Sequence, residues 1–480
     1  MTVTLRSPTG GTRIVASTFA AMWLAGCASF SPDAGMDVVS GVAAGALGQD
    51  AHRVDTAEAA ETARSRVRQL LASPLSARAT AQVALLNNRG LQAAYNELGI
   101  AEAVRVEASL PPNPAFSLSR ISTSVELDIE RQIVTNILAL ATLPARAEIA
   151  TERFRQAQLN AAQETIRVGL EARRNYYRAV ASRQLVAFLE QAGSAAETAA
   201  KLATELGRTG AMNKLDQARE QLFYAELSAQ LAAARQQAAS DREALVRSLG
   251  LWGCDLGFKL PEALPTLPKR PKSLSMIEVE AVRRRVDLEI ARIEVDALAK
   301  FYGLTSATRF INLLDVAGVS RTQREPGGVH GTGGGVAVDF QVPIFDFGEV
   351  RLRQAGEAYM QAVNCLTERA VNVRSEAREA HRLYRSTYDI AAHYRGQVLP
   401  LRQVITDETM LRYGAMQIDV FSLLIEARQR VTVNIAAIEA QRDFWLASAN
   451  LTAAVAGGGT TGNAGATPRV ATGSNITAGE

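Results

Sequence analysis

The chain has 480 residues, and its 52 Lys and Arg against 49 Asp and Glu give a net charge of only +3. Aromatics make up 6% and alanine is abundant, which favours long, closely packed helices over several thick globular cores. With the charges balanced and no basic block, a nucleic-acid partner is not expected.

At the N-terminus, Arg6 and Arg13 precede the apolar run IVASTFAAMWLAGC, which ends in Leu24-Ala25-Gly26-Cys27. A charged start, a short apolar stretch and small residues before a cleavage point predict a signal peptide over 1–26. The run is shorter than the roughly 20 apolar residues of a membrane span. Leu-Ala-Gly-Cys resembles a bacterial lipobox, which implies cleavage before Cys27 and a covalent lipid on it. The alternative is an ordinary signal peptide with an incidental Cys27. Ala28 follows, with no aspartate there to hold a lipoprotein at the inner membrane, which by the same resemblance points to the outer one. Residues 28–50 are rich in Ser, Ala, Gly and Asp and read as a flexible tether. With a short helix they make up an N-terminal region, 27–74.

Two structural repeats follow, 75–260 and 273–456, joined by a Pro-rich linker, 261–272. The first opens with a helix near 79–110, stopped by Pro111, Pro112 and Pro114. AFSLSRIS and SVELDIERQIV read as strands. A long helix from about 144 to 206 is broken by Gly207 and Gly210, and a partner helix runs from about 213 to 249. The second repeat has the same plan. A helix from about 276 leads to the strand candidates TRFINLLDVAGVS and GGVAVDFQVPIF. A helix from about 348 to 412 follows, then Gly414 and a last helix from about 420 to 455. The tail 457–480 is Gly/Thr/Ala-rich and reads as disordered.

A helix of roughly 60 residues spans about 90 Å, too long for a globular domain. Apolar positions in the last two helices keep 3–4 spacing, through Ala391, Tyr394, Val398, Leu401 and Ile405, then Leu424, Val431, Ile435, Ile438 and Trp445. This is a coiled-coil seam.

The strands alternate. Val336, Val338, Phe340, Val342 and Ile344 oppose Ala337, Asp339, Gln341 and Pro343; Val125, Leu127 and Ile129 oppose Glu126, Asp128 and Glu130. One apolar and one acidic face over about ten residues suits a membrane-barrel strand between lipid and water. Four strands cannot close a barrel, and an open sheet edge does not survive in lipid, so this reading requires an oligomer. No metal or catalytic grouping stands out. The histidines (His52, His330, His381, His393) are scattered. Cys254 and Cys365 could form one disulfide, but they lie in dissimilar contexts without a Cys-x-x-Cys motif and read rather as unpaired, buried residues. GGVHGTGGG (327–335) lacks the lysine and following helix of a phosphate-binding loop and reads as a hairpin loop.

Several stretches together resemble the TolC-like outer-membrane factor family. ALLNNRGLQAAYNELGIAEA leads into LPPNP and a strand; RRRVDLEIARIEVDA resembles the family's opening of the second repeat, with Val286 where proline is usual; VPIFDFGEVR resembles its exit from the last strand. The likeness covers roughly 75–455. It implies a homotrimer with a twelve-stranded outer-membrane barrel, four strands per chain, continuing into a periplasmic barrel of antiparallel coiled-coil helices. It also implies a passive conduit without enzymatic activity, working with a periplasmic adaptor and an inner-membrane transporter in efflux or type I secretion. Beyond the lipid on Cys27, no cofactor is implied.

On this resemblance Gly210-Ala211-Met212 and Gly414-Ala415-Met416 are the hairpin tips, serving as turns alone or as turns that also dock the adaptor. Asp216 matches the family's aspartate after the first tip. At the second tip Asp419 or Glu426 is the candidate, each able to contribute one carboxylate per chain to a gate ring. Glu126, Asp128, Glu130 and Asp339 would face the lumen. The competing reading is a lipid-anchored periplasmic coiled-coil scaffold without a pore.

Overall fold

The computed structural model describes residues 30–123, 126–273, 276–324 and 330–457. Cys27 and the tail beyond Gly457 lie outside them, as does Val125. The described chain forms two compact units.

One unit comprises Asn96–Gln158, Ala291–Leu366 and the residues up to Gly35. Its centre is a four-stranded antiparallel sheet in sequence order, β1 (Ala115–Ser122), β2 (Leu127–Asn136), β3 (Leu313–Arg324) and β4 (His330–Gln341). Register fixes which side chains share a face. Phe116, Ile133, Gly318 and Val336 form one row across all four strands. Asp128 pairs with Gln323, Glu130 with Arg321 and Asp339 with Asp315 on the other face. The apolar alternation of the last strand stops at Gln341, so Val342 and Ile344 lie beyond it. There Phe347 (φ 47°) and Gly348 (φ 72°) turn the chain. A side chain at Gly348 would collide with the Arg309 carbonyl, which explains the glycine in VPIFDFGEVR.

Near the sheet, Asn136 caps the short α5 (Ile137–Ala141) by accepting from Ala139 N at 2.6 Å. Arg153 meets Glu294 at 2.7 Å, and Lys300 meets Glu148 at 2.8 Å and Glu152 at 3.0 Å. Ser31 N donates to the buried Glu102 at 2.7 Å.

The other unit comprises Met36–Tyr95, Leu159–Ile290 and the residues from Thr367 onward. The expected tether here contains a helix, α1 (Met36–Leu47), whose Val39 and Ala43 are fully buried; apolar burial overrides the loop-like composition. α2 (Ala57–Leu71) follows. The single helix expected near 79–110 is two, α3 (Ala77–Asn87) and α4 (Arg89–Ser109). The break has a purpose. Asn87 Nδ2 donates to Gly250 O at 2.7 Å and Asn88 Nδ2 to Ser248 O at 3.1 Å. The two asparagines thus satisfy carbonyls left open at a helix C-terminus.

α6 (Leu143–Arg208, 66 residues) pairs with α7 (Lys214–Leu249). Gly207 does not break α6 but lies within it, with the Gln217 side chain where a Cβ would stand. The second repeat opens with α8 (Ile277–Arg284) and α9 (Val286–Ala307), and buried Arg285 between them binds Asp287 and Glu376. α10 (Glu349–His393) then passes through a π-turn, Tyr394–Val398, into α11 (Leu399–Gly414), and α12 (Val420–Ala456) closes the repeat.

The π-turn corrects the expected seam. One extra residue in the turn rotates every later side chain by about 100°. Leu401 and Ile405 consequently stand 63% and 45% exposed, while Arg402 and Thr406 face α12. The Pro-rich linker is fastened to the helices: Trp445 Nε1 donates to Pro265 O at 2.9 Å, and the Tyr388 hydroxyl to Pro268 O at 3.1 Å. Cys254 and Cys365 are free, as expected, but exposed rather than buried.

Candidate functional site

The two hairpin tips are built alike, but not at the residues that spell alike. At the first, Gly210 (φ 79°) takes the left-handed position past α6 and its N–H reaches Gly207 O at 3.3 Å. At the second, Gly414 is still helical; Met416 (φ 56°) takes that position. Met416 N reaches Tyr413 O at 3.0 Å and Gln417 N reaches Arg412 O at 2.9 Å, the paired bonds of a Schellman stop. Each left-handed residue is followed three positions later by an N-cap, Asn213 or Asp419. Gly210 therefore corresponds to Met416, and the repeated Gly-Ala-Met is offset by two residues. Ala211 and Ala415 are exposed, and Met416 is 94% exposed; Met212 is half-buried.

This alignment reassigns the carboxylates. Asn213 accepts from Asp216 N at 2.8 Å and donates to Asp216 Oδ2 at 2.7 Å, so Asp216 belongs to the first cap. It also meets Arg219 at 3.1 Å. Asp419 accepts from Ser422 N at 2.9 Å and Ser422 Oγ at 2.6 Å, and these bonds hold its carboxyl below the usual range. Glu426 is buried, accepting from Arg402 Nη1 at 2.8 Å and from Thr406 Oγ1 at 3.3 Å.

The counterpart of Glu426, ten residues past the left-handed position in both tips (426 − 416; 220 − 210), is Glu220. Reading from the glycines hides this correspondence. Glu220 is 2% exposed, and Arg428 of α12 reaches it at 2.9 Å. Arg428 also donates to Arg219 O at 2.6 Å and lies 4.7 Å from the Phe223 ring centroid. Burial pushes the Glu220 carboxyl up from the usual range, against the pull of Arg428. The two hairpins are thus joined by a desolvated ion pair, and the second is closed on itself by Arg402–Glu426. Leu227, Ala234, Val431 and Ile435 pack beside these links.

In the sheet, Asp128, Glu130 and Asp339 share the polar face. Glu126 stands just outside the strands, and Thr123 N donates to its carbonyl at 2.8 Å. Arg321, on the same polar face and missed in the sequence, binds Asp128 through its guanidinium.

This arrangement of a four-stranded sheet with two helical hairpins is the fold of solved outer-membrane channels. OprN aligns at 16% identity over 82% of this chain and 90% of that one, with a TM-score of 0.65. The Campylobacter jejuni CmeC outer membrane channel aligns at 15% identity over 82% and 86%, TM-score 0.64. The open state of the Neisseria gonorrhoeae MtrE outer membrane channel aligns at 15% identity over 82% and 89%, TM-score 0.62. No family model and no curated protein matches the sequence.

Proposed function

We propose that the chain is the outer-membrane channel subunit of a tripartite efflux or type I secretion system. Three copies close a twelve-stranded barrel, are lipid-anchored through Cys27, and carry their helical hairpins into the periplasm. The observation that carries this reading is the sheet. Its two faces differ in polarity and its edge strands, β1 and β4, each pair on one side only. A strand edge left open in lipid is prohibitive, and copies of the same sheet complete it edge to edge. The likeness to channel structures supports the same conclusion.

The conduit supplies no chemistry of its own. Its closed state is held by Glu220–Arg428 between hairpins and Glu426–Arg402 within one, with Asp216 and Asp419 fixing the tips that an adaptor engages. Shifting a closed equilibrium from 1:99 to 99:1 takes about 5.5 kcal/mol of differential binding, and an adaptor docking on the tips, with an inner-membrane transporter behind it, supplies that difference. Purification of the full chain tests the reading. Heat-sensitive trimers that conduct ions across planar bilayers are expected. A delipidated, water-soluble monomer without conductance would instead establish the pore-free scaffold.

A further inference from the structure

Charge on the sheet is sorted by face. Asp128, Glu130, Asp315 and Asp339 all stand on the polar face, with Arg321 among them. The opposite face carries Phe116, Leu118, Ile129, Ile133, Val316, Val338 and Phe340, and no Asp or Glu among the described residues. It does carry three arginines, Arg120, Arg131 and Arg324, all exposed and none in an ion pair among the described residues.

The arginines are not scattered over that face. The rows nearest the helices, Phe116–Ile133–Gly318–Val336 and Val316–Val338, are uncharged. Arg120 pairs with Ile129 and Arg324 with Leu127, at the hairpin end. Arg131 lies two residues further in than the Arg120 row and four further than the Arg324 row, the latter about 13 Å along the strand. Its Nη1 donates at 3.3 Å to Thr322 Oγ1, and Thr322 is two positions nearer the hairpin end than Ser320, the residue opposite Arg131. The guanidinium is thus carried toward the hairpin end of the sheet, as in a snorkelling side chain.

We propose that Arg120, Arg131 and Arg324 form a binding band for phosphate-bearing lipid headgroups in the leaflet around the hairpin end of the sheet. This rests on reading the sheet as part of a membrane barrel. On a lipid-facing surface an arginine costs about 2–4 kcal/mol at mid-depth and about 0–1 near the interface. The band sits toward the end where that cost is smallest, and among the described residues none of its three guanidiniums has a paired anion. A guanidinium matches phosphate oxygens in a two-point fork. A second copy of the chain would pair at the strand edges and leave this face outward.

The test uses the full chain in detergent and native mass spectrometry of bound lipid. Phosphatidic acid is the probe, diacylglycerol the same lipid without phosphate, and inorganic phosphate the competitor. Wild type should retain phosphatidic acid but not diacylglycerol. Arg120→Gln, Arg131→Gln and Arg324→Gln combined should lower retention at least about tenfold, from the loss of charge-assisted bonds. Arg321→Gln, on the other face, should leave it unchanged, as should equimolar inorganic phosphate. Equal retention by the triple variant, equal retention of diacylglycerol, or displacement by free phosphate would each overturn the band. Failure of the channel reading is distinguishable, because the chain would then neither form heat-sensitive trimers nor conduct. Trimers and conductance with an unaffected triple variant would sink only the lipid band.

Discussion

Glu220 and Arg428, 208 residues apart in sequence, meet at 2.9 Å with the carboxylate almost wholly buried. The pair joins the hairpin of the first repeat to the last helix of the second. Removing either partner leaves a desolvated group unsatisfied, at about 1–3 kcal/mol. Glu220→Gln and Arg428→Gln should each raise channel conductance while heat-sensitive trimers persist. The exchange Glu220→Arg with Arg428→Glu should return conductance toward wild type. Unchanged conductance in both single variants would remove the pair from the gate.

The same pair predicts a response to pH. Burial raises the Glu220 pKa above its ordinary value, with Arg428 opposing and Asp216 adding to the rise. A carboxylate with a raised native pKa binds its proton more readily folded than unfolded, so this group favours the fold below its ordinary pKa. That contribution is lost as pH rises through the raised value. The group's contribution to thermal stability should therefore grow on acidification, beginning above the ordinary glutamate range, as read from unfolding temperatures at stepped pH. Glu220→Gln should abolish the response; a response that survives in it assigns the effect elsewhere.

The tips differ in strain, and this is measurable. A non-glycine residue in the left-handed region costs about 1–2 kcal/mol. Gly210→Ala should therefore lower thermal stability, and Met416→Gly should raise it by a similar amount. Gly414→Ala, at a helical position, should not destabilise. If Met416 also docks the adaptor, Met416→Gly should stabilise the chain and weaken adaptor binding together. Undiminished binding, measured by titration with the purified adaptor, would leave Met416 a turn residue.

Much of this was legible in the sequence, and the misses share a cause. Prolines, glycines and alternation located the strands and hairpins, because those signals are local. Gly414 misled because the motif repeats in letters while the helix ends two residues later, a register only the backbone reveals. The π-turn at Tyr394–Val398 shifted the seam for the same reason, replacing Leu401 and Ile405 with Arg402 and Thr406. Glu220 was unremarkable in sequence, since its burial depends on Arg428 from the other repeat. The helix at Met36–Leu47 was hidden by a loop-like composition that tertiary packing overrides.

On the proposed channel reading, the polar face of the sheet sets the ion preference of the mouth. Asp128 is held by Arg321, while Glu130, Asp315 and Asp339 share that face. The channel should favour cations modestly, and Arg321→Gln should increase that preference in reversal-potential measurements across a salt gradient. Strong anion selectivity in the wild type would contradict the face assignment.

The most direct test of the central claim is single-channel recording of the purified full chain in planar bilayers, wild type beside Glu220→Gln combined with Arg402→Gln. A closed trimeric duct predicts small, infrequent openings in the wild type and large, sustained conductance once both links are removed. Absence of conductance in both proteins, from preparations that remain folded, would contradict it.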